Sequence, residues 1–86
     1  MNAPATLDAL PTGRTAKVSH VLTPAADAGA DGVDLALRLK ELGFLPGEQV
    51  RVLHRGFPSG DPLAVRIGNA TFALRRHEAA LIAIGE

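Results

Sequence analysis

The sequence predicts a small, mostly-β barrel of about five short strands, with one α-helix inserted after the first strand and a 3₁₀ turn before the last. Three observations carry this expectation. Short runs of alternating apolar and polar residues recur between Gly and Pro punctuation. A single stretch changes to helical period. The chain has 86 residues and no cysteine, which leaves length for one core and no disulfide to support a looser one. A domain of this size buries roughly 60–65% of its unfolded surface, so closing the sheet on itself removes edges that little else could cover.

Residues 1–6 read as a flexible arm in a single domain spanning 1–86. Leu7 and Leu10 then share one face of a helical turn that Thr6 and Asp8 can cap. In 13–22, Ala16 and Val18 alternate with Thr15, Lys17 and Ser19, as in a half-buried strand. Pro24 ends it, and 25–32 is a run of small residues and Asp with little commitment to helix. The period changes in 33–42, where Leu35, Leu39 and Leu42 form a stripe widened by Ala36, with Asp31 or Asp34 available to the N-terminal amides. Gly43 is the expected left-handed residue that ends the helix, and Phe44 folds back over its last turn. Pro46-Gly47 signals a turn.

A second strand occupies 48–55, with Val50 and Val52 inward. A loop follows over 56–62, and Pro62 fits only at a strand start or edge. Leu63, Val65 and Ile67 alternate with Ala64 and Arg66; Gly68-Asn69 is a hairpin turn; the chain returns with Phe72 and Leu74 inward. Residues 75–80 suit a 3₁₀ turn and 81–84 a last strand. This order of elements is the layout of an SH3-like barrel.

Composition excludes several functions. Nine Lys and Arg balance nine Asp and Glu, and three Phe are the only aromatics. Nucleic-acid binding normally needs a basic excess or stacking platforms. A membrane span needs about 20 apolar residues in a row, which this chain lacks. Residues 1–4 carry no basic leader, so the expected location is cytoplasmic. An SH3 peptide groove needs Tyr and Trp, and both are absent.

Catalytic and metal motifs fail on their own chemistry. Residues 27–38 start like a calcium loop, but Gly29 and Arg38 stand where ligands belong. His77-Glu78-Ala79-Ala80-Leu81 opens like a zinc-protease motif and puts Leu81 where the second histidine should be. There is no phosphate-binding glycine loop, so the chain is not expected to be an enzyme. His20, His54 and His77 remain as metal candidates. His20 and His54 are read first as capped or partly exposed strand-end histidines, and they end strands expected to run antiparallel. At most they offer a weak surface Fe(II) or Zn(II) site, and no cofactor is required. Arg75 and Arg76 form a basic patch read first as a solvated turn and second as a partner surface.

Leu42-Gly43-Phe44-Leu45-Pro46-Gly47, then Gly60-Asp61-Pro62, then Leu74-Arg75-x-x-Glu78-Ala79 form a series that resembles the ferrous iron transport protein A (FeoA) family. The SH3-like domain at the C-terminus of DtxR-type metalloregulators is related. The resemblance covers about residues 7–84, and most of the series is architectural. It implies a small cytosolic accessory of ferrous iron uptake that binds the cytosolic G-protein region of the transporter FeoB and modulates Fe(II) transport, recruited through FeoB to the inner membrane face. The alternative is a metal-binding sensor module; a regulator fragment would lack room for a DNA-reading domain. Exposed apolar groups on loops point to partner contacts at Phe44, Leu45 and Pro46 and at Phe57, Pro58 and Asp61, with Arg75 and Arg76. A homodimer is compatible with zero net charge.

Overall fold

The computed structural model describes residues 5–22, 29–57 and 59–85. A 3₁₀ turn (Leu7–Ala9) leads into β1 (Thr15–Val21), α1 (Gly29–Leu42), β2 (Gln49–Arg55), β3 (Leu63–Ile67), β4 (Ala70–Leu74), α2 (Arg76–Ala79) and β5 (Ile82–Gly85). The strands form one antiparallel sheet in the order β4-β3-β2-β1-β5. The mostly-β, five-stranded expectation holds, with the long helix after β1.

Alternation explains the core. Ala16, Val18, Val50, Val52, Leu63, Val65, Ile67, Leu74 and Ile82, drawn from all five strands, are buried in one cluster with Leu7, Leu39 and Phe44. Their neighbours Thr15, Lys17, Gln49, Arg51 and Arg66 are exposed. The two sheet ends meet through this shared core; no ladder joins β4 to β5 among the described residues. The outer edge of β5 is instead covered by the N-terminal segment. Thr6 bridges to Ala83, and the Ile84 amide donates to the Ala5 carbonyl at 2.9 Å. Of the expected flexible arm, Ala5 and Thr6 thus make backbone contacts with β5, and residues 1–4 lie outside the described residues.

Helix α1 begins at Gly29, four residues before the periodic stripe, so Asp31 and Asp34 lie within its range. Of the low-commitment run, 25–28 are outside the described residues. The stripe behaves as its spacing requires: Ala36 and Leu39 are buried, Leu35 and Leu42 half-buried. The helix ends in a two-bond closure. The Gly43 amide donates to the Lys40 carbonyl at 3.1 Å, and the Phe44 amide to the Leu39 carbonyl at 3.2 Å. Gly43 sits at φ +115°, which costs a side chain about 1–2 kcal/mol. The segment before β5 is one four-residue α-helical turn, α2, in place of a pure 3₁₀ turn. The Ala79 and Ala80 amides donate to the carbonyls four residues back, of Arg75 and Arg76, at 3.0 and 2.9 Å.

Candidate functional site

Two corners of the sheet carry the candidate contact residues. At the start of β2, the Gly47 amide donates to the Val18 carbonyl and the Val18 amide to the Glu48 carbonyl, both at 2.8 Å. These bonds fix the turn against β1 and leave Leu45 half in solvent (48%) and Pro46 exposed. Phe44 is fully buried, its ring 6.3 Å from that of Phe72. Phe44 is therefore not an exposed contact: the residue that closes a helix by folding back points its side chain at the core.

At the other end of β2, the Gly56 amide donates to the Pro62 carbonyl at 2.8 Å and the Gly60 amide to the Gly56 carbonyl at 2.7 Å. This small closed loop holds Phe57 almost wholly in solvent (96%). Pro58 lies outside the described residues. A Cβ on Gly56 would lie 2.7 Å from the Asp61 carbonyl oxygen, so the loop closes only over glycine.

Two pieces of the sequence series meet here. An Asp61 carboxylate oxygen accepts from the Arg76 amide at 2.9 Å, and Glu78 Oε1 accepts from the Arg75 amide at 2.7 Å. Both acids thus serve the first amides of α2, and Asp61 ties the Phe57 loop to it. Phe57, Asp61, Arg75 and Arg76 therefore occupy one end of the sheet. Leu45 and Pro46 occupy the other, with the seven residues of β2, roughly 20 Å, between them.

The histidines do not converge. β1 and β2 are antiparallel, so His20 lies at the Leu45 end and His54 at the Phe57 end. Each follows a β-bulge, between Val18 and His20 and between Val52 and His54, and each is exposed in spite of sharing formal parity with a buried valine. Ser19 Oγ is 3.0 Å from His20 Nδ1. His77 is exposed on α2. Among the described residues no three His, Asp or Glu side chains gather into a metal-holding group.

One residue escaped sequence reasoning. The Arg55 guanidinium donates to the carbonyls of Asp8 and Leu10, both at 2.8 Å, clasping the end of the N-terminal 3₁₀ turn. Its only signal was an arginine ending a strand, which does not reveal a contact 45 residues away.

The family model of the FeoA domain matches residues 5–85. The chain belongs to the FeoA family. FeoA of Stenotrophomonas maltophilia, solved in complex with zinc and described as an SH3-domain protein, is 38% identical over 94% of this chain and 89% of that one, with a TM-score of 0.79. Iron(II) transport protein A of Clostridium thermocellum is 30% identical over 93% of this chain and 44% of that one (TM-score 0.74). A manganese-dependent transcriptional repressor matches at 25% identity over 96% of this chain and 42% of that one (TM-score 0.70). No curated protein matches. This FeoA chain therefore has the SH3-like fold and belongs to a family of small accessory proteins associated with ferrous iron transport, which is not an enzyme family. Among its described residues no helix is long and apolar enough to cross a membrane.

Proposed function

We propose that this FeoA protein acts in the cytoplasm as a non-catalytic accessory of ferrous iron uptake, binding the cytosolic G-protein region of FeoB and modulating Fe(II) transport at the inner membrane face. The observation that carries the reading is Phe57. An aromatic side chain 96% exposed on a loop closed by its own backbone bonds and tied to α2 is apolar surface held ready for a partner. Arg75 and Arg76, at the same end of the sheet, add charge-assisted donors, and Leu45 with Pro46 forms a second contact at the opposite corner.

Calorimetric titration of the cytosolic FeoB region, with and without nucleotide, tests the reading. Phe57→Ser keeps the circular dichroism of the wild type and weakens binding about tenfold or more, as expected for an exposed aromatic anchor worth about 2 kcal/mol. Unchanged affinity in a folded Phe57→Ser variant removes the loop from the interface, and no binding by the wild type ends the proposal. A second reading, metal-responsive binding, is favoured by the zinc complex of the Stenotrophomonas relative. Here it would rest on His20, His54 or His77 singly, or on sites completed by a second copy. Equilibrium Zn(II) or Fe(II) titration decides it, and no saturable binding below millimolar metal ends it.

A further inference from the structure

The charges of this chain cancel in number but not in space. No Asp or Glu occurs in any of the five strands, so every charged residue of the sheet is cationic. Arg55 is spent on the carbonyls of the 3₁₀ turn. Lys17, Arg51 and Arg66 stand exposed on the outward face of β1, β2 and β3.

The registers arrange that face in rows. Thr15 is opposite Arg51, Arg51 opposite Arg66, and Arg66 opposite Thr71, one row across four strands. In the next row Lys17 is opposite Gln49. Arg51 and Arg66 are thus direct cross-strand partners with Cβ atoms about 4.5–5.5 Å apart, a like-charge pairing that costs the folded state energy. Beside them lies an open hollow of about 260 Å³, lined by Thr15, Gln49, Arg51, Leu53, Arg66 and Gly68. Each of its polar side chains can donate: two guanidinium forks, which only donate, and one amide and one hydroxyl, which can also accept. Arg66 Nε donates to the Gly68 carbonyl at 3.2 Å, and among the described residues its two terminal nitrogens make no hydrogen bond. Leu53, the extra residue of the β2 bulge, is 40% exposed at the margin.

We infer that this sheet face is a docking site for an acidic segment of a partner protein, its carboxylates on Arg51 and Arg66 and an apolar side chain on Leu53. Charge complementarity selects the occupant. Paired guanidinium forks match carboxylates bidentately, and an anion between them removes the repulsion that the free fold carries. Nucleic acid fits poorly: three cations neutralise few phosphates, and no aromatic side chain stands on this face to stack a base. An anionic bilayer gains only about 1 kcal/mol per cation near its surface. The site lies on the strands between the two corners described above and does not depend on the FeoB reading.

The test uses the full chain and a fluorescein-labelled peptide of about ten residues alternating Glu and Leu. Fluorescence anisotropy at low salt is expected to show saturable binding, abolished when Gln replaces Glu in the peptide and weakened steeply by added NaCl. Amide shifts in ¹⁵N spectra are expected at Thr15, Gln49, Arg51, Arg66 and Thr71. The double variant Arg51→Gln/Arg66→Gln is expected to bind about tenfold or more weakly and to melt no lower than the wild type, since the substitution relieves a like-charge pair. The proposal is overturned by absence of peptide binding, by equal binding to the double variant, by shifts confined to other surfaces, or by tighter arginine-dependent binding of duplex DNA or phosphatidylserine vesicles than of the peptide.

Discussion

Arg55 shows how far one side chain reaches in so small a domain. Its guanidinium satisfies two carbonyls at the end of the 3₁₀ turn, and Leu7 and Leu10 of that turn are buried in the core. Arg55→Met, which keeps the aliphatic stem, is expected to cost about 1–3 kcal/mol in urea unfolding, because hydrogen bonds to a charged, half-buried donor fall in that range. Amide exchange should accelerate first in residues 5–10. Phe44 makes the complementary point. It is buried to 0% exposure and packs near Phe72, so Phe44→Ala is expected to cost about 3–5 kcal/mol and to broaden the unfolding transition. Loss of partner binding in that variant would report lost folding. Leu45, one residue on, is exposed and is the position at which the proposed contact is tested.

At the scale of elements, the β2–β3 loop and α2 behave as one unit. Asp61 joins them through the Arg76 amide, and Gly56 lets the loop close where a Cβ would stand 2.7 Å from the Asp61 carbonyl oxygen. Gly56→Ala is therefore expected to open the loop rather than to disturb the strands. Its signature is amide-shift changes confined to residues 55–62 and 75–78, with a loss of about 1–3 kcal/mol in stability. The β-bulges act at the same scale. Each inserts one residue, Ser19 or Leu53, and turns the following histidine outward while the strand rejoins its ladder. Strict alternation therefore identified His20 and His54 as strand-end residues but gave no warning of the bulges that expose them.

Across the whole molecule, the candidate contacts divide between two ends of the sheet about 20 Å apart. A standard interface takes about 800 Å² from each partner, wide enough to reach both. Leu45→Asp is expected to weaken binding of the cytosolic FeoB region while leaving the circular dichroism intact. If one partner covers both corners, Leu45→Asp and Phe57→Ser combine additively within about 0.5 kcal/mol, since sites this far apart rarely couple. A double variant no weaker than Phe57→Ser would confine the interface to the Phe57 end.

Most of the architecture was legible in the residues because it is written in local rules. Period two gave the inward valines, period 3.6 gave the face of α1, Gly43 followed by Phe44 gave the helix end, and Gly68-Asn69 gave the hairpin. The start of α1 was missed because small residues and Asp carry weak propensity in either direction. The site was less legible, because exposure and proximity are not local properties. Composition established that the chain is neutral, free of cysteine and poor in aromatics, which set aside thiolate metal sites and aromatic peptide grooves. Only strand pairing decided that Asp61 meets Arg76, that Arg55 clasps the N-terminal turn, and that Arg51 stands beside Arg66 with no acid in the sheet. Register brings together residues 15, 45 or 47 positions apart in sequence, and a neutral total says nothing about where its charges fall.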